Sequence, residues 1–269
     1  MTATAAIVQG YNFTGPTLPL HPSMNAGTLA ILDPTHWVNP VDIEGSVPTL
    51  PNIAAKNAVT LAGSGAGADW TLDVYKPETL TVSRSTAGGI RHALRTDVAP
   101  ADAYAAYRSP AELNAYLNSH RGSSIYAFVG MRTFRLPATG ANGHQLGFGS
   151  FIKNPVSRFQ AYTAFSGSTP IQRGYIGGTG TTTPDTTLVA GQVAGFSVAS
   201  TDSTTAASAL AMFSVQGLGS TPVGLGATFY LGVLEDLSVS GLTRGQAHAR
   251  DLALLTQLTT SGGRYSADS

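Results

Sequence analysis

From Phe229 the chain reads Phe-Tyr-Leu-Gly-Val-Leu-Glu-Asp-Leu-Ser-Val, with Phe229, Leu231, Val233, Leu237 and Val239 on alternate positions. A period of two aims side chains at one face of a sheet. Ser240-Gly241 then makes a turn, and Thr243 followed three residues later by Gln246 is a capping box, which starts a helix. Ala247, Leu254, Leu255 and Leu258 give that helix one apolar side, and Gly262-Gly263 stops it. A short helix with one apolar side must bury it, and the strand that delivers it supplies the sheet to bury it on. The segment therefore predicts a β-protein closed by a helix over 244–258.

The rest of the chain agrees with an all-β reading. Strand patterns run over 70–75, 79–84, 124–136, 159–165, 170–177, 191–200, 207–216 and 228–239, parted by turns rich in Gly, Ser, Thr and Pro. That spacing argues for two antiparallel sheets rather than a parallel α/β fold. Residues 100–120 read as the other helical region: Ser109, Pro110 and Glu112 fit N-cap, first-turn and capping-box positions, and Leu113, Tyr116 and Leu117 form an apolar side. Residues 1–60 carry Pro16, Pro19, Pro22, Pro34, Pro40, Pro48 and Pro51. Proline removes a ladder donor, so this part is expected to be an extended arm with short edge strands, packed on its own sandwich or crossing to a neighbour. Residues 61–269 form the sandwich, and arm and sandwich are expected to make one structural unit.

Three stretches carry a resemblance. They are Leu32-Asp33-Pro34-Thr35-His36-Trp37 with Leu50-Pro51-Asn52-Ile53-Ala54; Ser109-Pro110-Ala111-Glu112-Leu113 through His120; and Glu235-Asp236-Leu237, Ser240-Gly241 and Gly262-Gly263-Arg264-Tyr265. Taken in this order they resemble the concanavalin A-like (LamG-type) jelly-roll domains of bacteriophage virion proteins. The resemblance implies an antiparallel jelly-roll β-sandwich with two short helices. It also implies a structural role in a phage or phage-like virion, as a tail-associated, fibre-like or capsid-surface component that assembles with itself and with other virion proteins, with host-surface glycan as a further candidate partner. It implies no chemistry.

Composition bears on that role. Fifteen basic and fifteen acidic residues balance, and charged residues make up only 11% of the 269, against about 25% in ordinary soluble domains. Interface cores are depleted in charge, so the reading is a homo-oligomer whose surface meets other subunits. No basic patch supports nucleic-acid binding. No run of about eighteen apolar residues supports a membrane span. Met1–Gly10 has neither a basic n-region nor a long apolar run, so synthesis in the host cytoplasm without a signal peptide is expected, with the virion as destination. There is no cysteine, which removes thiolate and disulfide chemistry.

The residues give little support to catalysis. Glycanases of this architecture need paired carboxylates on one strand face; Glu235 and Asp236 are adjacent and face opposite ways, and Asp69 and Asp73 have no glutamate partner. The expectation is a chain that is not an enzyme, with no catalytic residue and no cofactor. A stand-alone carbohydrate-binding module is the alternative function, and a glycan hydrolase is the weakest of the three. Sugar platforms are aromatic, and Trp37, Trp70, Tyr75 and Tyr162 are the candidates, each weighed against ordinary core packing. Calcium, which wants several oxygen ligands, finds Asp33, Asp42 and Glu44 close in sequence and Asp202 in an oxygen-rich loop. The six histidines show no ligand spacing for zinc. Glu235 falls in phase with the core side of its strand, where an unpaired carboxylate is costly. A bulge near Leu234, or pairing with Arg132 or Arg135, is the expected remedy.

Overall fold

A computed structural model describes residues 21–35, 49–99, 103–120, 122–137, 142–150, 159–166, 169–176, 181–182, 185–190, 193–200, 210–218 and 222–268. Strands β1 (Thr28–Leu32) and β2 (Thr49–Leu50) precede helix α1 (Ala55–Ala62). β3 (Trp70–Tyr75), β4 (Leu80–Arg84), β5 (Ile90–Leu94) and β6 (Tyr104–Arg108) lead to α2 (Ala111–Ser119). There follow β7 (Ile125–Arg135), β8 (Asn142–Ser150), β9 (Phe159–Ser166), β10 (Thr169–Ile176), β11 (Thr181–Thr182), β12 (Asp185–Ala190), β13 (Val193–Ser200), β14 (Leu210–Leu218) and β15 (Gly226–Asp236). A one-turn helix α3 (Leu237–Ser240) and the long helix α4 (Arg244–Thr259) complete the order.

The strands form two antiparallel sheets. The first runs β12-β13-β7-β15-β5-β4, and β1 also pairs with β15. β5 takes the Gly226–Phe229 half of that strand and β1 the Gly232–Glu235 half. The second sheet runs β11-β10-β9-β8-β14-β6-β3-β2. The protein is thus an antiparallel all-β sandwich with a few short helices. α1 and α3 are additions to the two helices expected, and Tyr104–Arg108, read above as part of a helical region, is a strand.

One core lies between the sheets, built on Leu29, Trp70, Tyr107, Leu117, Phe213 and Phe229. A second lies outside the first sheet, where Tyr126, Phe128, Leu231 and Val233 meet Leu254, Leu255 and Leu258 of α4. Each of these leucines contributes about 1.5–3 kcal/mol by leaving water. β15 is therefore buried along its whole length, with one face in each core. The helix sits close: a methyl at Gly130 would lie 2.5 Å from Leu255 Cδ1.

The alternation read for β15 is broken by a bulge. The register against β7 skips one residue between Phe229 and Leu231. Phe229 thus enters the inter-sheet core, whereas Leu231, Val233 and Glu235 face the α4 side. The strand ends at Asp236, whose side chain caps α3 by accepting from Ser238 N at 2.9 Å. Val239 lies beyond it and is exposed.

The capping box of α4 is formed as expected, with Gln246 N donating to Thr243 Oγ1 and Thr243 N donating to Gln246 Oε1. That of α2 is not. Its N-cap is Pro110, with no side-chain cap. The Ser109 hydroxyl donates instead to Asn114 Oδ1 (3.1 Å), which also accepts from Leu210 N (2.9 Å) and so ties α2 to β14.

Candidate functional site

Two polar constellations stand out. The first is a seam on the α4 side of the first sheet. Asp33, just after β1, is fully buried and accepts from the Arg264 guanidinium and from Tyr265 Oη (2.8 Å), while Thr35 Oγ1 donates to Tyr265 Oη (3.1 Å). Burial alone would raise the Asp33 carboxyl; the hydrogen bond from His21 and the charge of Arg264 outweigh it and hold it below its usual value. Farther along the tail, Asp268 accepts from Ser85 Oγ (2.5 Å) and Ala87 N (2.9 Å) in the β4–β5 turn. Beside Arg264 lies an open cavity of about 690 Å³ between His21, Pro22, Leu254, Leu258 and the Gly262-Gly263 turn.

Glu235 belongs to this seam. Its carboxylate accepts from Arg250 Nη2 (2.8 Å) and from Asn25 Nδ2 (2.9 Å), and Arg250 also holds Asp251 through Nε (2.8 Å) and Nη2 (2.9 Å). The remedy for the buried acid is an arginine from α4, not Arg132 or Arg135, and the bulge lies at Tyr230, not Leu234. Arg135 instead donates to the carbonyls of Gly224 and Leu94. Burial raises the Asp251 carboxyl above its ordinary value despite that guanidinium, and it raises the Tyr126 hydroxyl beside it.

The second constellation lies on the outer face of the second sheet. On β3, Leu72 and Val74 turn toward the inter-sheet core, which leaves Thr71, Asp73 and Tyr75 on the other face. The register against β6 sets Tyr75 opposite Tyr104 and Thr71 opposite Arg108. The Tyr75 and Tyr104 rings stack with centroids 5.8 Å apart and planes at 23°. Asp73 Oδ2 accepts from Tyr104 Oη (3.1 Å) and from Arg108 Nε, and Arg108 Nη2 donates to Tyr104 Oη (3.3 Å). Burial, followed by the Asp73 charge, raises the Tyr104 hydroxyl above its usual range. Tyr75 is 39% exposed, and Lys76 Nζ stands 5.4 Å from its ring centroid.

The candidate platforms separate accordingly. Trp70 is core, fully buried between the sheets. Tyr75 is on the exposed face. Tyr162 is in β9 of the same sheet, paired with Leu146 and Arg173. Trp37 lies outside the described residues. Of the calcium candidates, Asp33 is taken by Arg264 and Tyr265, and Asp42, Glu44 and Asp202 lie outside the described residues. Among the described residues no three His, Asp or Glu side chains converge on a metal position, and no helix is long and apolar enough to cross a membrane. Tyr104 and Arg108 are not among the sequence candidates, because residues 100–120 read as helical. The alternation of Tyr104, Ala106 and Arg108 was the available signal.

No family model matches the chain, and no curated protein does. Among solved structures it is similar to Trypanosoma rangeli sialidase at 12% identity and a TM-score of 0.38, over 89% of this chain and 35% of that one. The same sialidase in complex with sialic acid aligns at 12% identity and a TM-score of 0.39, over 89% and 35%. In complex with the inhibitor DANA it aligns at 12% and 0.32, over 83% and 32%. The chain thus spans about a third of the length of the sialidases it matches. This finding corrects the expectation that the chain is not an enzyme, since the neighbours are glycosidases. Likeness at this level assigns neither a reaction nor a catalytic residue here.

Proposed function

We propose that the protein is a structural component of a phage or phage-like virion, built on a concanavalin A-like jelly roll and acting by subunit assembly in a tail, fibre or capsid surface. It is made in the host cytoplasm, and its partners are its own copies and other virion proteins. One observation carries this reading: the stretches that bear the resemblance, far apart in sequence, are tied by hydrogen bonds to one another or to strand β1. Asp33 and Thr35 hold Arg264 and Tyr265. Asn52 Oδ1 accepts from Ile31 N (3.1 Å) and its Nδ2 donates to Leu29 O (3.0 Å), which fixes β1. Tyr116 of α2 donates to Asp236 at the end of β15 (2.8 Å). Residues of a resemblance that hydrogen-bond to one another and to one strand support a shared fold better than the same residues scattered would, and the family supplies the role.

The test is the mass of the purified chain in solution, by light scattering over a range of concentrations. A discrete symmetric oligomer is expected. A chain that stays monomeric at every concentration, and that is absent by mass spectrometry from particles released by its producing cells, would sink the reading.

A further inference from the structure

The outer face of the first sheet is covered by α4 and the tail as far as Gly130 and Tyr230. The next row of that face differs. Ile90, Phe229 and Met131 are paired across β5, β15 and β7, and all three enter the inter-sheet core. Their chain neighbours Arg91, Thr228 and Arg132 are paired in the same way, so they form a row on the outer face. We infer that Arg91 and Arg132 form a binding site for a tetrahedral oxyanion of the phosphate class, with the Tyr230 hydroxyl as a third donor. This goes beyond the assembly role and does not depend on it.

Among the described residues neither guanidinium forms an ion pair with a carboxylate. Both arginines are part-buried, and the Nε of Arg91 is out of water with no hydrogen-bond partner. The guanidinium carbon of Arg91 stands 4.9 Å from the Phe134 ring centroid. That contact fixes the plane of the group and leaves its N–H edge to donate. Tyr230, on the same side of the sheet, is fully buried, and its Oη also lacks a hydrogen-bond partner. Burial, then the Asp268 charge, raises this hydroxyl, while the charges of Arg132 and Arg91 pull it the other way. Both guanidiniums therefore lie within electrostatic reach of one buried oxygen. Asp268 does not neutralise them: its oxygens accept from Ser85 Oγ and Ala87 N, and it pairs with neither arginine.

Two part-buried cations without a counter-charge repel each other and lose water, a cost that a bound anion removes. Two strand spacings of roughly 4.8 Å set their backbones about 10 Å apart, a gap that two arginine side chains can close around one anion over Thr228. A carboxylate is planar, and one guanidinium fork satisfies it. A tetrahedral anion offers a pair of oxygens to each of two forks at once. The three groups are donors at neutral pH, which suits a ligand that chiefly accepts. The row continues to Ser83 on β4 and to Val193 on β13, so neither end brings an acid to it.

The test is isothermal titration of the full chain with sodium phosphate and with glycerol 3-phosphate, at constant ionic strength in chloride, with acetate as the planar comparator. Phosphate is expected to bind with a Kd of about 1 mM or tighter. Arg91→Gln and Arg132→Gln should each weaken it about tenfold or more. Arg132→Lys keeps the charge but lacks the fork, and it should still weaken binding. Arg95→Gln, in the exposed Arg95–Asp97 pair, should change nothing. Glycerol 3-phosphate separates the sources: binding as tight as that of phosphate assigns an ester and weaker binding a free ion, and either supports the site. Three results overturn it: phosphate does not bind, its affinity survives both glutamine substitutions, or acetate binds as tightly as phosphate.

Discussion

Arg250 stands between two fully buried carboxylates, Glu235 and Asp251, and is itself largely buried. Its removal leaves both acids without a counter-charge, so Arg250→Met is expected to cost about 3–5 kcal/mol, read by urea unfolding at neutral pH. Glu235→Gln, which keeps an acceptor for Asn25 and leaves Asp251 on Arg250, should cost clearly less. His92 makes a second prediction. Its ring is fully buried, packed 4.6 Å from Phe213 and 5.8 Å from Tyr107, and burial pushes its pKa down to about 3, the Ala105 backbone compensating only in part. The folded pKa lies below the unfolded value of 6.5, so between those values the unfolded chain binds the extra proton. Stability at neutral pH is therefore intact and falls as pH drops below 6.5. From pH 7 to 5 the loss from this group is about 2 kcal/mol. His92→Phe should remove it, as denaturant titrations at the two pH values would show. Glu235 was legible as a problem because of its phase. Its solution was half-legible, since Arg250 and Asp251 lie on the same helical stripe as Ala247, Leu254 and Leu258. A polar pair on an apolar stripe is a signal for buried partners opposite.

At the level of elements, the approach of α4 to the first sheet depends on Gly130, where Leu255 occupies the space a side chain would need. Gly130→Val should destabilise by about 1–3 kcal/mol through overpacking. Hydrogen exchange should rise in α4 and in the tail it carries, with the second sheet unaffected. Such exchange in the second sheet as well would show that α4 does not dock as an independent layer. The two capped ends of α4 were legible because both capping-box partners and the glycine stop are local. β6 was not. Ala103, Ala105 and Ala106 are strong helix formers, yet pairing with β3 on one side and β14 on the other fixes the segment as a strand. The start of α2 was misread for a related reason: Ser109 offered a cap, but the β14 backbone competes for Asn114 and draws the hydroxyl with it.

At the scale of the whole molecule, two antiparallel sheets followed from strand spacing, but the order of strands within them did not. Pairing is decided by contacts distant in sequence. The sparse charge has a structural counterpart: Arg250, Glu235, Asp251 and Asp33 are spent on the seam, so the surface is less charged still than composition implies. An assembly formed by such surfaces should keep its mass when ionic strength rises from roughly 0.05 to 0.5 M, because screening acts mainly on exposed charges. Dissociation over that range would show charge-driven contacts instead. β15 has a further consequence. Among the described residues it is the only strand that joins β1, β5 and β7, and it leaves the ribosome last of the four. Until residue 236 has emerged, the first sheet lacks the strand that unites it and β1 lacks its partner. The order of synthesis thus makes the first sheet wait for β15, and until that strand is made the apolar residues of β1, β5 and β7 stay exposed.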